Sequence, residues 1–126
     1  MENVPRYLVY NSQTQKVYYA KNAEVRSAPA SFTKLLSSQV ALDLVPLEYL
    51  ITASKDSVDK VPTVLGLKVG EKISVTDLLR GAIATSANDA AQTLADGAAQ
   101  AVGISQPEFI YYMNTKAQFL GLKNSH

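Results

Sequence analysis

The sequence predicts an α+β chain, with an N-terminal antiparallel hairpin followed by a mainly helical region. Three observations carry this prediction. Tyr7-Leu8-Val9-Tyr10 and Val17-Tyr18-Tyr19 are rich in aromatic and branched residues and flank the polar stretch 11–15, the pattern of two strands and a turn. Leu35, Leu36, Val40, Ala41, Leu42, Leu44 and Val45 form a run that is apolar on nearly every face, as a buried helix requires. Near the end, Phe109, Ile110, Met113, Ala117 and Leu120 make one apolar helical stripe that stops at Gly121.

The hairpin cannot stand alone in water, because two strands bury too little. Ser31 follows Ala28-Pro29-Ala30 and is expected in the first turn of the apolar helix. After Pro46, the short runs around 50–52 and 72–75 suggest small strands. Ser74-Val75-Thr76-Asp77 resembles a capping box opening a helix over 78–84, and a second helix runs from about 89 to 102, stopped by Gly103. The last helix opens on Ser105 and Glu108 with Pro107 in its first turn. Its stripe, with Tyr111 and Tyr112 adjoining, reads as core rather than as a ligand site. No internal repeat or low-complexity segment interrupts residues 1–126, which read as a single partial domain.

Composition narrows the function classes. The 126 residues are 47% hydrophobic and 18% charged with a formal net charge of +1, a balance that implies no nucleic-acid partner. No stretch of about 18 uninterrupted apolar residues exists. Met1-Glu2-Asn3 lacks a basic start and an apolar core, so no signal peptide is expected in this chain. Absence of cysteine excludes disulfides and thiol catalysis. The only histidine is His126, so neither a Ser-His-Asp triad nor a histidine-rich zinc site is expected, and no cofactor or metal is called for. Asp56 with Asp59 reads as a solvated loop, and no phosphate-binding glycine loop occurs.

Two short strings carry chemistry: Ser31-Phe32-Thr33-Lys34 and, downstream, Ser86-Ala87-Asn88. Residues three apart on a helix share a face, so the Ser31 hydroxyl and the Lys34 amine can meet. The free N–H groups of a helix start favour a developing alkoxide and disfavour a positive charge, and burial in an apolar cleft favours the neutral amine that a base requires. Alternatively, Ser31 is a simple helix N-cap and Lys34 a surface side chain. Ser86-Ala87-Asn88 lies between two apolar segments and reads as a short connection between helices, with a helix cap as its plainer reading. A second pair at the same spacing, Ser57-Val58-Asp59-Lys60, serves as an internal control. It lies in a polar stretch before Pro62, so its hydroxyl and amine are both expected in water.

With these residues in place, the chain resembles the N-terminal part of a serine D-alanyl-D-alanine carboxypeptidase, a low-molecular-mass penicillin-binding protein. The resemblance runs through the two hairpin strings, Arg26-Ser27-Ala28-Pro29-Ala30-Ser31-Phe32-Thr33-Lys34, Gly66-Leu67-Lys68-Val69-Gly70-Glu71, Asp77-Leu78-Leu79 and Ser86-Ala87-Asn88-Asp89-Ala90-Ala91. It continues through Met113-Asn114 to Leu120-Gly121-Leu122-Lys123-Asn124-Ser125-His126. It implies part of a β-lactamase/transpeptidase-like fold lacking the later sheet strands. It also implies that Ser31 is acylated by a peptidoglycan stem peptide ending in D-Ala-D-Ala while Lys34 takes its proton as general base. Ser86 would relay a proton toward the leaving amine, and Asn88 would hold a substrate peptide group and help orient Lys34. β-Lactams would acylate Ser31 as covalent inhibitors, and the parent protein would act in the periplasm or otherwise outside the cytoplasmic membrane.

One family element is absent from these residues: a Lys-Thr-Gly or similar triplet that grips the substrate carboxylate. Lys68-Val69-Gly70 precedes Ser86, has valine where a hydroxyl is needed, and reads as a turn. The family strand that carries the triplet also supplies an oxyanion-hole donor, and loss of one donor typically costs about a hundredfold to a thousandfold in rate. Little turnover is therefore expected from this polypeptide alone. A noncatalytic penicillin- or peptidoglycan-binding relative, or a scaffold fragment, is the alternative. Without covering strands, a sheet edge and an apolar surface are expected to be exposed and to favour self-association.

Overall fold

The computed structural model describes residues 4–126, so the expectation made at Met1-Glu2-Asn3 lies outside the described residues. The hairpin forms where the aromatic and branched runs predict it. β1 (Tyr7–Asn11) pairs antiparallel with β2 (Lys16–Lys21), with Tyr7 opposite Lys21 and Tyr10 opposite Val17 across a register shift after Val9. Asn11 closes the turn, its Oδ1 accepting from the N–H groups of Gln13 at 3.0 Å and Thr14 at 2.9 Å, as asparagine does in turns. Leu8, Val9, Tyr10, Val17, Tyr18 and Tyr19 are all exposed. The expected bare apolar surface is therefore present on the hairpin.

A 3₁₀ turn (Ala30–Phe32) leads into α1 (Thr33–Leu44). Ser31 thus sits in this tighter turn rather than in the first α-helical turn. The helix is also less buried than its composition predicts. Ser38, Val40 and Ala41 are buried, whereas Leu35 and Leu42 are 50% and 44% exposed. Composition reports how apolar a helix is, but its neighbours decide which faces are covered. Here two later helices, over Asn88–Ala101 and Gln106–Phe119, pack on α1.

The middle of the chain contains a second small sheet. β3 (Leu50–Thr52) pairs antiparallel with β4 (Lys72–Ser74), placing Ile51 opposite Ile73. Between them lies the short helix α2 (Lys55–Val58). Lys68-Val69-Gly70 is a turn, as read from the sequence: the Glu71 N–H donates to the Lys68 carbonyl, and Gly70 adopts φ +85°, a conformation that favours glycine.

The helical half is built on caps. Ser74 opens α3 (Val75–Ala84) by accepting from the Asp77 N–H at 3.1 Å, and Ser105 and Glu108 form the capping box of α5 (Gln106–Phe119). Between these helices, α4 (Asn88–Ala101) contacts α1, α2, α3, α5 and β3. Its small residues permit this central position. A Cβ on Gly97 would lie 2.1 Å from Ile51 Cγ2, so glycine lets β3 rest directly on the helix. The core gathers Val40, Ala41, Ile51, Val75, Leu78, Leu94 and Phe109 around the alanines of α4. Along the predicted stripe, Phe109 and Ala117 of α5 join the interior, but Ile110 and the C-cap residue Leu120 remain about half exposed, which narrows it. An Asp43–Lys116 ion pair at 2.6 Å links α1 with α5. Among the described residues, no helix is long and apolar enough to cross a membrane.

Candidate active site

Three of the four sequence-predicted site residues meet at one point. The 3₁₀ turn presents Ser31, the first turn of α1 presents Lys34, and the connection between α3 and α4 presents Ser86. The Ser86 hydroxyl donates to Ser31 Oγ at 2.8 Å, and Lys34 Nζ donates to Ser86 Oγ at 3.0 Å and to the Ser86 carbonyl at 2.5 Å. The direct Lys34 Nζ to Ser31 Oγ distance is 3.4 Å, at the long end for a hydrogen bond. Ser86 therefore bridges the pair by two contacts shorter than the direct one. Because each hydroxyl can donate and accept, a proton on Ser31 has a continuous path through Ser86 to Lys34.

The backbone around this point is unusual on both sides. Ala30, just before Ser31, has φ +47°, and Ser86 has φ +57°. A left-handed conformation in a residue with a Cβ costs about 1–3 kcal/mol and persists only where its surroundings enforce it. At Ser86 the enforcing contacts converge on Gly81, whose carbonyl accepts from the Thr85 hydroxyl at 2.8 Å and from the Ala87 N–H at 3.0 Å. The resulting bend directs both the carbonyl and the hydroxyl of Ser86 toward one amine. Lys34 is half-buried, and among the described residues no carboxylate lies within ion-pair distance of it.

Asn88 stands at the first position of α4, close by but differently engaged. Its side-chain Nδ2 donates to the Val61 carbonyl at 2.8 Å and its backbone N–H to the Thr63 carbonyl at 2.7 Å. Among the described residues it makes no hydrogen bond to Lys34, so the lysine is oriented here by Ser86. Ser31, Lys34, Asn88, Lys60 and Val61 line one end of a groove of about 900 Å³, which continues along Ala91, Ala95 and Ala99 of α4 to Phe109 and Met113 of α5.

The second serine-lysine pair corrects an expectation. Ser57 is buried, with 1% exposure, and is not in water. Its hydroxyl donates to the Ser54 carbonyl at 3.0 Å and accepts from the Ser54 N–H at 3.0 Å and the Thr93 hydroxyl at 2.9 Å. The local polar composition of 52–60 concealed this burial because the covering residue, Thr93, lies on α4. What sets this pair apart is enclosure rather than solvation: its hydroxyl is buried and already engaged in capping α2.

In the sequence Asp89 reads as a helix start, yet it accepts four hydrogen bonds beside the site. It is fully buried, and its carboxylate accepts from the N–H groups of Leu65, Gly66, Leu67 and Ala90 at 2.8–3.1 Å. Burial acts to raise the Asp89 carboxyl, but the N–H groups of Leu65, Leu67, Ala90 and Gly66 together hold it below its ordinary value. An aspartate beside a helix start signals a cap. Nothing local signals that its partners lie more than twenty residues upstream. Among the described residues, no group of three or more histidine, cysteine or carboxylate side chains is placed to hold a metal ion.

Comparison with known proteins identifies what the chain is similar to. A family model described as D-alanyl-D-alanine carboxypeptidase matches residues 3–126. The D-alanyl-D-alanine carboxypeptidase DacA of Escherichia coli K12 is 35% identical over 131 residues, covering 95% of this chain and 32% of that protein. DacF of Bacillus subtilis, of the same description, is 32% identical over 117 residues, covering 89% of this chain and 29% of that protein. Among solved structures, a D-alanyl-D-alanine carboxypeptidase from Mycobacterium tuberculosis H37Rv superposes with a TM-score of 0.82 at 30% identity, covering 97% of this chain and 44% of that one. Penicillin-binding protein 5 from Haemophilus influenzae superposes with a TM-score of 0.79 at 30% identity, covering 97% and 37%. The chain spans about a third of the length of the curated relatives it matches.

Proposed function

We infer that this chain, which belongs to the D-alanyl-D-alanine carboxypeptidase family, carries the acyl-transfer half of a serine-type carboxypeptidase site. The observation that supports the reading most strongly is the contact of Ser86 with both Ser31 and Lys34. In the whole protein, Ser31 Oγ attacks the carbonyl carbon between the two terminal D-alanines of a peptidoglycan stem peptide. Its proton passes to Ser86 Oγ as the Ser86 proton passes to Lys34 Nζ, so Lys34 acts as general base and Ser86 as relay. The tetrahedral intermediate then collapses. The C–N bond breaks, the terminal D-alanine leaves as an amine with the proton returned through Ser86, and Ser31 remains as an ester that water hydrolyses. Asn88, on the groove wall, binds a substrate peptide group.

A β-lactam presents a strained amide to the same nucleophile and forms the same kind of ester. Action on wall peptides places the whole protein outside the cytoplasmic membrane. The test is intact mass after exposure of the whole protein to a labelled penicillin. One adduct, absent in Ser31→Ala, is the expected result. Lack of any adduct on the wild type would overturn the reading.

The exposed hairpin supports a second, physical proposal for the 126-residue polypeptide taken alone: it self-associates through the edge and faces of β1 and β2. Light scattering should show a mass that rises with concentration. A monomer at every concentration would contradict it.

A further inference from the structure

Residues 61–67 form a strap between α2 and β4 that is fastened on both sides of Ser86. On the α4 side, Asn88 holds the Val61 and Thr63 carbonyls, and the Asp89 carboxylate gathers the N–H groups of Leu65, Gly66 and Leu67. Gly66 adopts φ +82°, which turns successive N–H groups toward one anion. On the α3 side, the Leu65 side chain rests on Gly81, where a Cβ would lie 2.4 Å from Leu65 Cδ1. Gly81 is also the residue whose carbonyl holds Thr85 and Ala87, and so sets the bend that places Ser86 at φ +57°.

A capping aspartate serves the N–H groups of its own helix. Asp89 instead uses three of its four contacts on the strap and one on Ala90. We propose that Asp89 is a positioning residue for the acyl-transfer site: by fastening the strap to α4 and seating Leu65 on Gly81, it holds the Ser86 bend and the Asn88 amide in register with Ser31. Its catalytic consequence rests on the acyl-transfer reading above, but the mechanical coupling does not.

The test uses the whole protein and compares Asp89→Asn, Leu65→Ala and Ile51→Ala with the wild type. Ile51 is a buried β3 residue that packs on Gly97 of α4 and takes no part in the strap's fastenings, so its truncation serves as a control for loss of stability. The penicillin acylation rate, counted per folded molecule, is expected to fall about tenfold or more in Asp89→Asn and about threefold in Leu65→Ala, the scale of a small misplacement of reacting groups. Ile51→Ala should keep the wild-type rate despite a lower Tm. Wild-type rates in both strap variants would overturn the proposal, and Leu65→Ala decides the point if Asp89→Asn does not fold.

Amide hydrogen exchange supplies a readout independent of chemistry. Loss of the Asp89 carboxylate or the Leu65 side chain should speed exchange at Ala87 and Asn88 as well as in the strap. Unchanged protection at Ala87 and Asn88 would overturn the coupling. If the wild type forms no penicillin adduct, the acyl-transfer reading fails, and the exchange result alone decides whether the strap positions the bend.

Discussion

The two serine-lysine pairs of this chain share one spacing and differ in what the fold places around the hydroxyl. Ser31 is exposed at the mouth of a groove and touches a second hydroxyl that leads to Lys34. Ser57 is enclosed, caps a four-residue helix, and has its hydroxyl taken up by Ser54 and Thr93. Spacing therefore makes a pair possible but does not make it reactive. What separates the two is the Ser86 bend, a strained residue from a distant part of the chain that reaches one pair and not the other.

The largest effect that can break this comparison is removal of the proposed base. Lys34→Ala in the whole protein should slow acylation of Ser31 by about a hundredfold to ten-thousandfold at neutral pH, the usual contribution of a positioned base. An unchanged rate by stopped-flow with a chromogenic β-lactam would remove Lys34 from that role.

Next comes Asp89, where exchange for asparagine turns one of two buried acceptor oxygens into an NH2 donor and leaves two of the four N–H groups without an acceptor. Asp89→Asn should cost about 2–4 kcal/mol by denaturant titration at neutral pH. The pH dependence has a definite sign. The folded-state carboxyl lies below its ordinary value of 3.8, so the folded chain binds fewer protons than the unfolded chain between those two values. Its stabilisation is complete above the ordinary value and is lost as pH falls through the folded one. Tm measured from pH 7 downward should therefore drop below about pH 4 in the wild type, with part of that slope missing in Asp89→Asn. Identical slopes would show that Asp89 is not the titrating anchor.

A third change sharpens the role of the bend because it should move stability and activity in opposite directions. Ser86→Gly relieves a left-handed serine and should stabilise the fold by about 1 kcal/mol while deleting the bridging hydroxyl. Acylation should fall about tenfold to a hundredfold. A gain in stability with full activity would leave the bend without a relay function. The smallest effect belongs to the buried pair: Ser57→Ala should cost about 1–2 kcal/mol, because Thr93 loses its acceptor in the interior, and should leave acylation unchanged.

Much of this was legible in the residues. The hairpin follows from Tyr7, Val9, Val17 and Tyr19 around a polar turn, and the starts of α3 and α5 follow from Ser74, Ser105 and Glu108, because strand patterning and caps are local chemistry. Ser31, Lys34 and Ser86 were recognisable as strings, and the structure brings them together. What could not be read depends on distant partners. No local pattern shows that Thr93 covers Ser57, that Asp89 reaches back to Leu65, or that Gly81 bends the chain so that a serine adopts φ +57°. The exposure of Leu35 and Leu42 was hidden for the same reason: their apolarity is written in the chain, but the position of their neighbours is not.

The claim that the fold selects one of two identically spaced pairs is tested most directly by mapping where a labelled penicillin attaches. The whole protein should carry the label on the peptide containing Ser31, Ser57→Ala should carry it at the same place and rate, and Ser31→Ala should carry none. Label retained in Ser31→Ala, or found on the peptide containing Ser57, would contradict the account.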